Sequence, residues 1–339
     1  MNDRPSISTP SRWLVSILIW YMLFIVVYLL GRFVVPVEWR FIAFLNNVAP
    51  YLFFPVIIGL LISLLLRAPR LSGVYLLASL VGVLWIGPAL SAPFVNPPSA
   101  DPDAETLQVI SFNVQPDNAN TEAAVDWLLG FQPEILALQD MPAPEDFEAF
   151  DALIEAYPYQ ATRQERSGVA LFSQYPIVEA EDIMVNESPV QRAVLDIAGR
   201  EVVVYNIHAW FPLNDNEGAW LPLRYDESER NQQIRDLLDI IADDESPVLL
   251  IGDLNLTEWS PIYHRIAAQL TDGYRSSSWG TGATWPVGDG TNEDLGRGYP
   301  RLFRLDYVWH SDDITSLSAT VGAPLGSDHL PLIVDIAIP

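Results

Sequence analysis

The sequence predicts an apolar helical segment followed by a domain of interspersed strands and helices, of α/β or mixed α+β class. Three observations carry this reading. Residues 1–90 contain three long runs without a charge, seven later runs are rich in branched aliphatics and bounded by turn-forming residues, and helical apolar periodicity fills the gaps between them.

Composition narrows the chemistry first. The 339 residues carry a formal net charge of -25 and no cysteine, which excludes a disulfide scaffold, a thiolate zinc site and a cysteine nucleophile. Asp3 and Glu38 are the acids of residues 1–90, against six arginines, so 41 acids and 12 arginines fall in residues 91–339 and the formal charge there is −29. A surface of that sign repels long polyanions. All 18 basic residues are arginine.

The charge-free runs are Trp13–Gly31, Phe41–Leu66 and Leu71–Leu90, each near or above the ~20 residues a helix needs to cross a bilayer core. Three spans are expected over residues 1–90. The first run is too long for a cleavable signal and two more follow it, so it is read as retained. Pro50, Pro55 and the Asn46–Asn47 pair shorten the second span to Pro50–Leu66, with Phe41–Leu45 at the interface. Arg4, Arg12, Arg67 and Arg70 flank the same side, and no basic residue follows the third run until Arg163. The positive-inside bias then places residues 91–339 outside the cytosol, whereas a two-span count would reverse the orientation. The proline-rich passage Pro88–Asp103 suits an extended tether, with residues 91–105 as linker and 106–339 as one domain.

Within that domain Val109–Phe112, Ile135–Leu138, Val169–Phe172, Val202–Ile207, Val248–Ile251, Leu305–Trp309 and Leu332–Ile336 read as strands. Several are apolar without alternation, as strands buried on both faces are. Thr121 is expected to cap a helix running to Phe131, where Val125, Leu128 and Leu129 share a face. In 226–243, Ile234, Leu237, Leu238 and Ile241 follow the i, i+3, i+4, i+7 rule, and Ser260–Pro261 opens a helix toward Leu270.

Polar residues recur where these strands end: Asn113, Gln139–Asp140, His208, Asp253 and Asn255, Asp306, and Ser327–Asp328–His329. Loops at strand ends are where rigid sheets present reactive groups. A single carboxylate there is ordinarily a turn or a helix cap, but the set combines carboxylates, amides and two histidines. Oxygen ligands of this kind suit magnesium, manganese or calcium rather than zinc. Phosphoryl chemistry needs a cation, an acceptor for a water proton, and donors to the phosphate oxygens.

The segments Ser-Phe-Asn113-Val, Pro133-Glu-Ile-Leu-Ala-Leu-Gln139-Asp140, Gly168-Val-Ala-Leu-Phe-Ser173, Asn206-Ile-His208, Gly252-Asp253-Leu-Asn255, Arg304-Leu-Asp306-Tyr and Ser327-Asp328-His329-x-Pro331 occur in this order. Over about residues 107–336 they resemble the endonuclease/exonuclease/phosphatase superfamily, here as a membrane-anchored bacterial member. The resemblance implies a four-layer α/β sandwich, two packed mixed sheets flanked by helices, with an active site at one edge. It implies Asp140 as cation ligand with Asn113 and Asp328 near it, and Asp253 as the group that orients or deprotonates water. Asn255, His208 and His329 would bind the phosphate, and Asp306 would orient His329. The family usually has glutamate where this chain has Asp140, one methylene shorter.

Arg192, Trp259 and Trp285 are candidate substrate contacts, Arg192 because cations are scarce in this domain and the tryptophans because they lie beside the motif loops. Trp210–Phe211 and Trp279 share that position, and packing under long loops is the ordinary role for such residues. Arg230 and Gln233 read as an intramolecular or surface pair, and His264 and His310 as structural or solvent-facing. The leading expectation is a phosphoesterase on a bacterial inner membrane, its domain on the extracytoplasmic side, acting on a nucleotide, a small phosphodiester or a lipid head group. An exported membrane-bound nuclease and a catalytically decayed module for a phospho-ligand or partner are the alternatives.

Overall fold

The computed structural model describes residues 9–36, 39–95, 99–101, 103–118, 120–142, 148–162, 168–213, 221–287 and 301–339. The chain forms two compact units, one of residues 1–89 with Leu213–Asp226, the other of Leu90–Pro212 with Glu227–Pro339.

The first unit is helical: α1 (Thr9–Val34), α2 (Arg40–Asn47), α3 (Ala49–Leu65) and α4 (Pro69–Val95, which runs on into the second unit). Arg12–Val34 and Pro69–Gly87 are long and apolar enough to cross a membrane, and the pair α2 and α3, bent by 66°, makes up to three if counted as one broken span. The bend falls at Asn46–Val48, where the paired amides interrupt the apolar run, and Asn46 is held there by hydrogen bonds from Tyr28 Oη (2.9 Å) and Arg32 (3.2 Å). Gly59 permits α3 and α4 to approach closely, because a Cβ there would lie 2.0 Å from the Tyr75 ring. The returning segment packs on α2: Asn47 donates to Tyr225 Oη (2.9 Å) and Arg40 pairs with Asp226 (2.6 Å). The passage 88–95 is helical as the end of α4, not extended as its prolines suggested; Pro97, Pro98 and Pro102 lie outside the described residues.

The second unit contains β1 (Glu105–Asn113), α5 (Thr121–Phe131), β2 (Ile135–Gln139), α6 (Asp151–Ala156), β3 (Tyr159–Thr162), β4 (Val169–Ser173), β5 (Ile177–Val185), β6 (Ser188–Ile197) and β7 (Arg200–His208). After α7 (Leu221–Arg224), in the returning segment, come α8 (Ser228–Ile241), β8 (Val248–Asp253), α9 (Pro261–Ile266), β9 (Thr271–Asp272), α10 (Gly273–Ser277), β10 (Asp306–His310), β11 (Thr315–Val321) and β12 (Leu332–Ile338). One sheet runs β11-β12-β1-β2-β4-β3 and the other β5-β6-β7-β8-β10-β9. Both are mixed, since β1 with β2 and β7 with β8 are parallel and the remaining pairs antiparallel.

Every strand of the sandwich centre is apolar on both faces because each face has a layer to pack against. Val109, Ile135, Ala137, Leu195, Val204, Ile251, Val308 and Val334 fill the space between the sheets. On the outside, Ile110, Phe112 and Leu136 meet Val125 and Leu128 of α5, and Val203, Ile207 and Leu250 meet Ile234, Leu237 and Ile241 of α8. The expected four-layer sandwich is therefore present, with all seven expected strands in it.

Local details differ. Asn120, not Thr121, precedes α5, and the Thr121 hydroxyl donates to Asn118 O. Pro261 does open α9, but the helix stops at Ile266, and the Ser260 hydroxyl makes no cap.

Candidate active site

Strand register assembles the polar residues. Across one sheet Asn113 is the partner of Gln139, and across the other His208, Asp253 and Asp306 stand in one row on β7, β8 and β10. Parallel β1 and β2, and parallel β7 and β8, present their C-terminal ends together, and antiparallel β10 begins at the same end as β8 finishes, so Asn113 and Asp253, 140 positions apart, become hydrogen-bonded neighbours.

Asp253 is the hub. Its Oδ2 accepts from Asn113 Nδ2 at 3.0 Å and lies 3.7 Å from His208 Nε2 and 3.6 Å from His329 Nε2, while Oδ1 accepts from the Asn255 N–H at 2.9 Å. The backbone allows this approach only with glycine before it: Gly252 has φ +142°, and a Cβ would sit 1.9 Å from Ile207 O. Asn255, at φ +50°, donates its Nδ2 to Ala209 O at 2.9 Å. Asp140 likewise takes a left-handed conformation, φ +55°, and turns its carboxylate to 3.8 Å from His208 Nδ1.

His329 Nδ1 donates to Asp306 Oδ2 at 2.9 Å. Burial, the largest single influence, favours the neutral ring, but the negative charges of Asp306, Asp253 and Asp328 and the Asp306 hydrogen bond outweigh it and push His329 up to about 10. The ring is then a cation at neutral pH and a hydrogen donor at both nitrogens. Burial raises Asp140 above the ordinary carboxylate range; His208 works against this, and Asp253 and Asp328 add to it.

The Ser327-Asp328-His329 turn is tied to β1. The Ser327 hydroxyl donates to Asn113 O (2.7 Å) and accepts from the His329 N–H, and the Asp328 N–H donates to Gln115 Oε1 (2.9 Å). Trp285 Nε1 donates to Asp328 Oδ2 at 3.1 Å, so this expected substrate contact borders the cluster through a carboxylate. Trp259 lies half-buried in the turn after Asn255.

Arg192 is not brought to the site. Its guanidinium bonds Asp244 at 3.1 Å, and Tyr205 bonds the same carboxylate at 2.6 Å. Its neighbour Gln191 faces between the sheets and reaches Asn206. Alternation along β6 sends Arg192 to the opposite face.

Arg230 is fully buried, pairs with Glu227 at 2.8 Å and donates to Asn255 O at 2.6 Å, a contact that its place on an amphipathic helix did not reveal. Gln115 was equally unmarked; its φ of +60° follows from the turn that ends β1. His264 is exposed and His310 buried, both away from this cluster.

Ligand-type atoms of Asp253, Asp306 and His329 all lie within 4.8 Å of one another, a spacing that could hold a metal ion only with the His329 ring neutral. Asp140 is raised chiefly by burial, with the charges of Asp253 and Asp328 adding to it, and a divalent cation beside it would offset both; the oxygens of Asn113, Asp140 and Asp328 are of the hard kind such an ion prefers. The donor set thus fits such an ion.

A model of the Endonuclease/Exonuclease/phosphatase family matches residues 110–329, from β1 through His329. This chain belongs to the endonuclease/exonuclease/phosphatase family. Members of this family are hydrolases acting on phosphoesters. The endonuclease/exonuclease/phosphatase of Bacteroides vulgatus is 16% identical, with a TM-score of 0.55 over 69% of this chain and 100% of that one. Truncated TDP2 of Caenorhabditis elegans is 18% identical with a TM-score of 0.51, over 69% of this chain and 98% of that one. A mannosyl-6-phosphatase of Bacteroides thetaiotaomicron is 15% identical with a TM-score of 0.52, over 68% and 99%. At these identities the neighbours share the family fold. No curated protein sequence matches the chain.

Proposed function

We propose that this family member is a membrane-tethered, divalent-metal-dependent phosphoesterase that cleaves phosphodiester or phosphomonoester bonds by attack of water. The observation that carries the reading is the convergence of Asn113, His208, Asn255 and His329 on the buried Asp253, with Asp306 behind His329.

In this reading Asp253 aligns the attacking water and accepts its proton, held for the task by the Asn113 amide and the Asn255 N–H. His329, kept cationic by Asp306, donates to a phosphate oxygen, and His208 donates from the neighbouring strand. The second proton of the Asn255 amide serves another oxygen. Asn113, Asp140 and Asp328 would hold magnesium, manganese or calcium. That ion would offset charge on the reacting phosphate.

The two long apolar helices and the bent pair support three crossings, with the domain outside the cytosol of a bacterial inner membrane. A C-terminal reporter active only in the cytosol would overturn that orientation. The charge of −29 over residues 91–339 favours a small phosphoester over long nucleic acid.

The test is turnover of bis-p-nitrophenyl phosphate by the full chain in detergent with magnesium. Activity lost in Asp253→Ala and His329→Ala and on chelation supports the reading. Plasmid nicking of comparable efficiency across a salt series would make the protein a membrane-held nuclease, and absence of any turnover would leave a binding module.

A further inference from the structure

In the loop after α10, Trp279 is 67% exposed and sits on a well-secured backbone. Tyr274 Oη donates to Trp279 O at 3.0 Å, Arg275 donates to Gly280 O and Thr281 O, and the Ser278 hydroxyl bonds both the carbonyl and the N–H of Ala319. Arg275 is itself clamped by Glu258, and Tyr274 lies 5.2 Å beneath the Arg304 guanidinium. Folding alone favours burying an indole of this size. Here a rigid frame of buried charge presents it to solvent instead.

Beside it is a cavity of about 610 Å³, within the range of small-molecule sites, lined by Tyr274, Trp279, Gly282, Arg301, Thr320 and Val321. Arg301 is exposed and forms no ion pair with any described residue, in a stretch, residues 91–339, where acids outnumber arginines by 29. The groove opens at the catalytic end of the sandwich. Val321 is the strand partner of Leu332, three residues after His329. Thr284, next to the groove's Ala283, accepts the N–H of Leu305 beside Asp306, and Trp285 bonds Asp328.

We propose that this groove is a substrate subsite for a planar ring carrying an anionic group, of the nucleoside monophosphate kind, with Trp279 as the stacking face and Arg301 as the charge partner. An aromatic face accepts any flat ring, and a guanidinium matches a phosphate in shape and charge. Together they select a ring joined to a phosphate over either part alone. A single nucleotide also escapes the repulsion that a long polyanion meets. The catalytic consequence rests on the phosphoesterase reading; the binding does not.

Two measurements on the full chain in detergent test this. Calorimetric titration with adenosine 5′-monophosphate is expected to show affinity about tenfold weaker in Trp279→Ala and largely restored in Trp279→Phe. Arg301→Gln should weaken the monophosphate but not adenosine. Equal affinity in wild type and Trp279→Ala, or no binding at millimolar concentration, overturns the subsite. In turnover, preference for the p-nitrophenyl ester of thymidine 5′-monophosphate over methyl p-nitrophenyl phosphate should fall about tenfold in Trp279→Ala. A preference that does not move overturns it. If neither ester is hydrolysed, the phosphoesterase reading fails and the titration alone decides the subsite.

Discussion

His329 Nδ1 lies 2.9 Å from Asp306 Oδ2, and the other nitrogen of the same ring lies 3.6 Å from Asp253. One imidazole therefore links the row of β8 and β10 to the turn before β12. Its charge and its orientation both depend on a carboxylate that is itself fully buried.

Asp306→Asn keeps the shape and removes that charge. Turnover of bis-p-nitrophenyl phosphate should fall by roughly 10²-fold or more, the scale of a misassembled acid–base group. Circular dichroism should stay native, because the amide still fills the same space. Turnover equal to wild type would remove Asp306 from the machinery.

Arg230 connects stability to placement of Asn255. Arg230→Met strands buried Glu227 without its partner and should cost about 3–5 kcal/mol in thermal or urea unfolding. Arg230→Lys keeps the charge beside Glu227 but cannot reproduce the fork that reaches Asn255 O at 2.6 Å. It is expected to stay folded and lose turnover, since ångström-scale misplacement can cost on the order of 10²-fold.

Asp272 sets an acid limit on stability. Burial opposes its charge most strongly, yet Arg304, with bonds at 2.6 and 2.8 Å, and the Tyr263 hydroxyl hold it below the ordinary carboxylate range. A lowered native value means the pair stabilises fully above the unfolded value of about 3.9 and fades as pH falls through the native one. Asp272→Asn should therefore be markedly less stable than wild type at pH 7. The gap should narrow below about pH 4. Unfolding midpoints across pH check this.

Asp140 takes φ +55°, where aspartate is tolerated better than most residues. Asp140→Glu is expected to retain metal-dependent hydrolysis and Asp140→Ala to lose it. Equal turnover in all three, measured with and without magnesium, would refute the ligand assignment.

Seven strands were legible because each is a short apolar run packed on both faces, a pattern that survives without knowledge of neighbours. Strands β5 and β6 were not. Ile177–Val185 reads IVEAEDIMV, and as an edge strand it needs few apolar residues, so its acids hide it. Arg192 failed for a related reason: composition marks a scarce cation, but only pairing with Tyr205 decides that it faces Asp244. For Arg230 the sequence left an intramolecular or a surface pair open; the structure has the intramolecular one, with Glu227, and adds the contact to Asn255 O that the helix pattern could not show.

From the chain order alone came the apolar helical segment, read as three spans, the α/β or mixed α+β class and the motif residues, since periodicity and local chemistry are carried by neighbours in sequence; the sandwich itself was implied by the family resemblance of those motifs. Tertiary structure decided which of those residues share a site. Strand parity and register bring Asn113, His208, Asp253, Asp306 and His329 together and turn Arg192 away, because a side chain's face is set by its partner strand and not by its own identity.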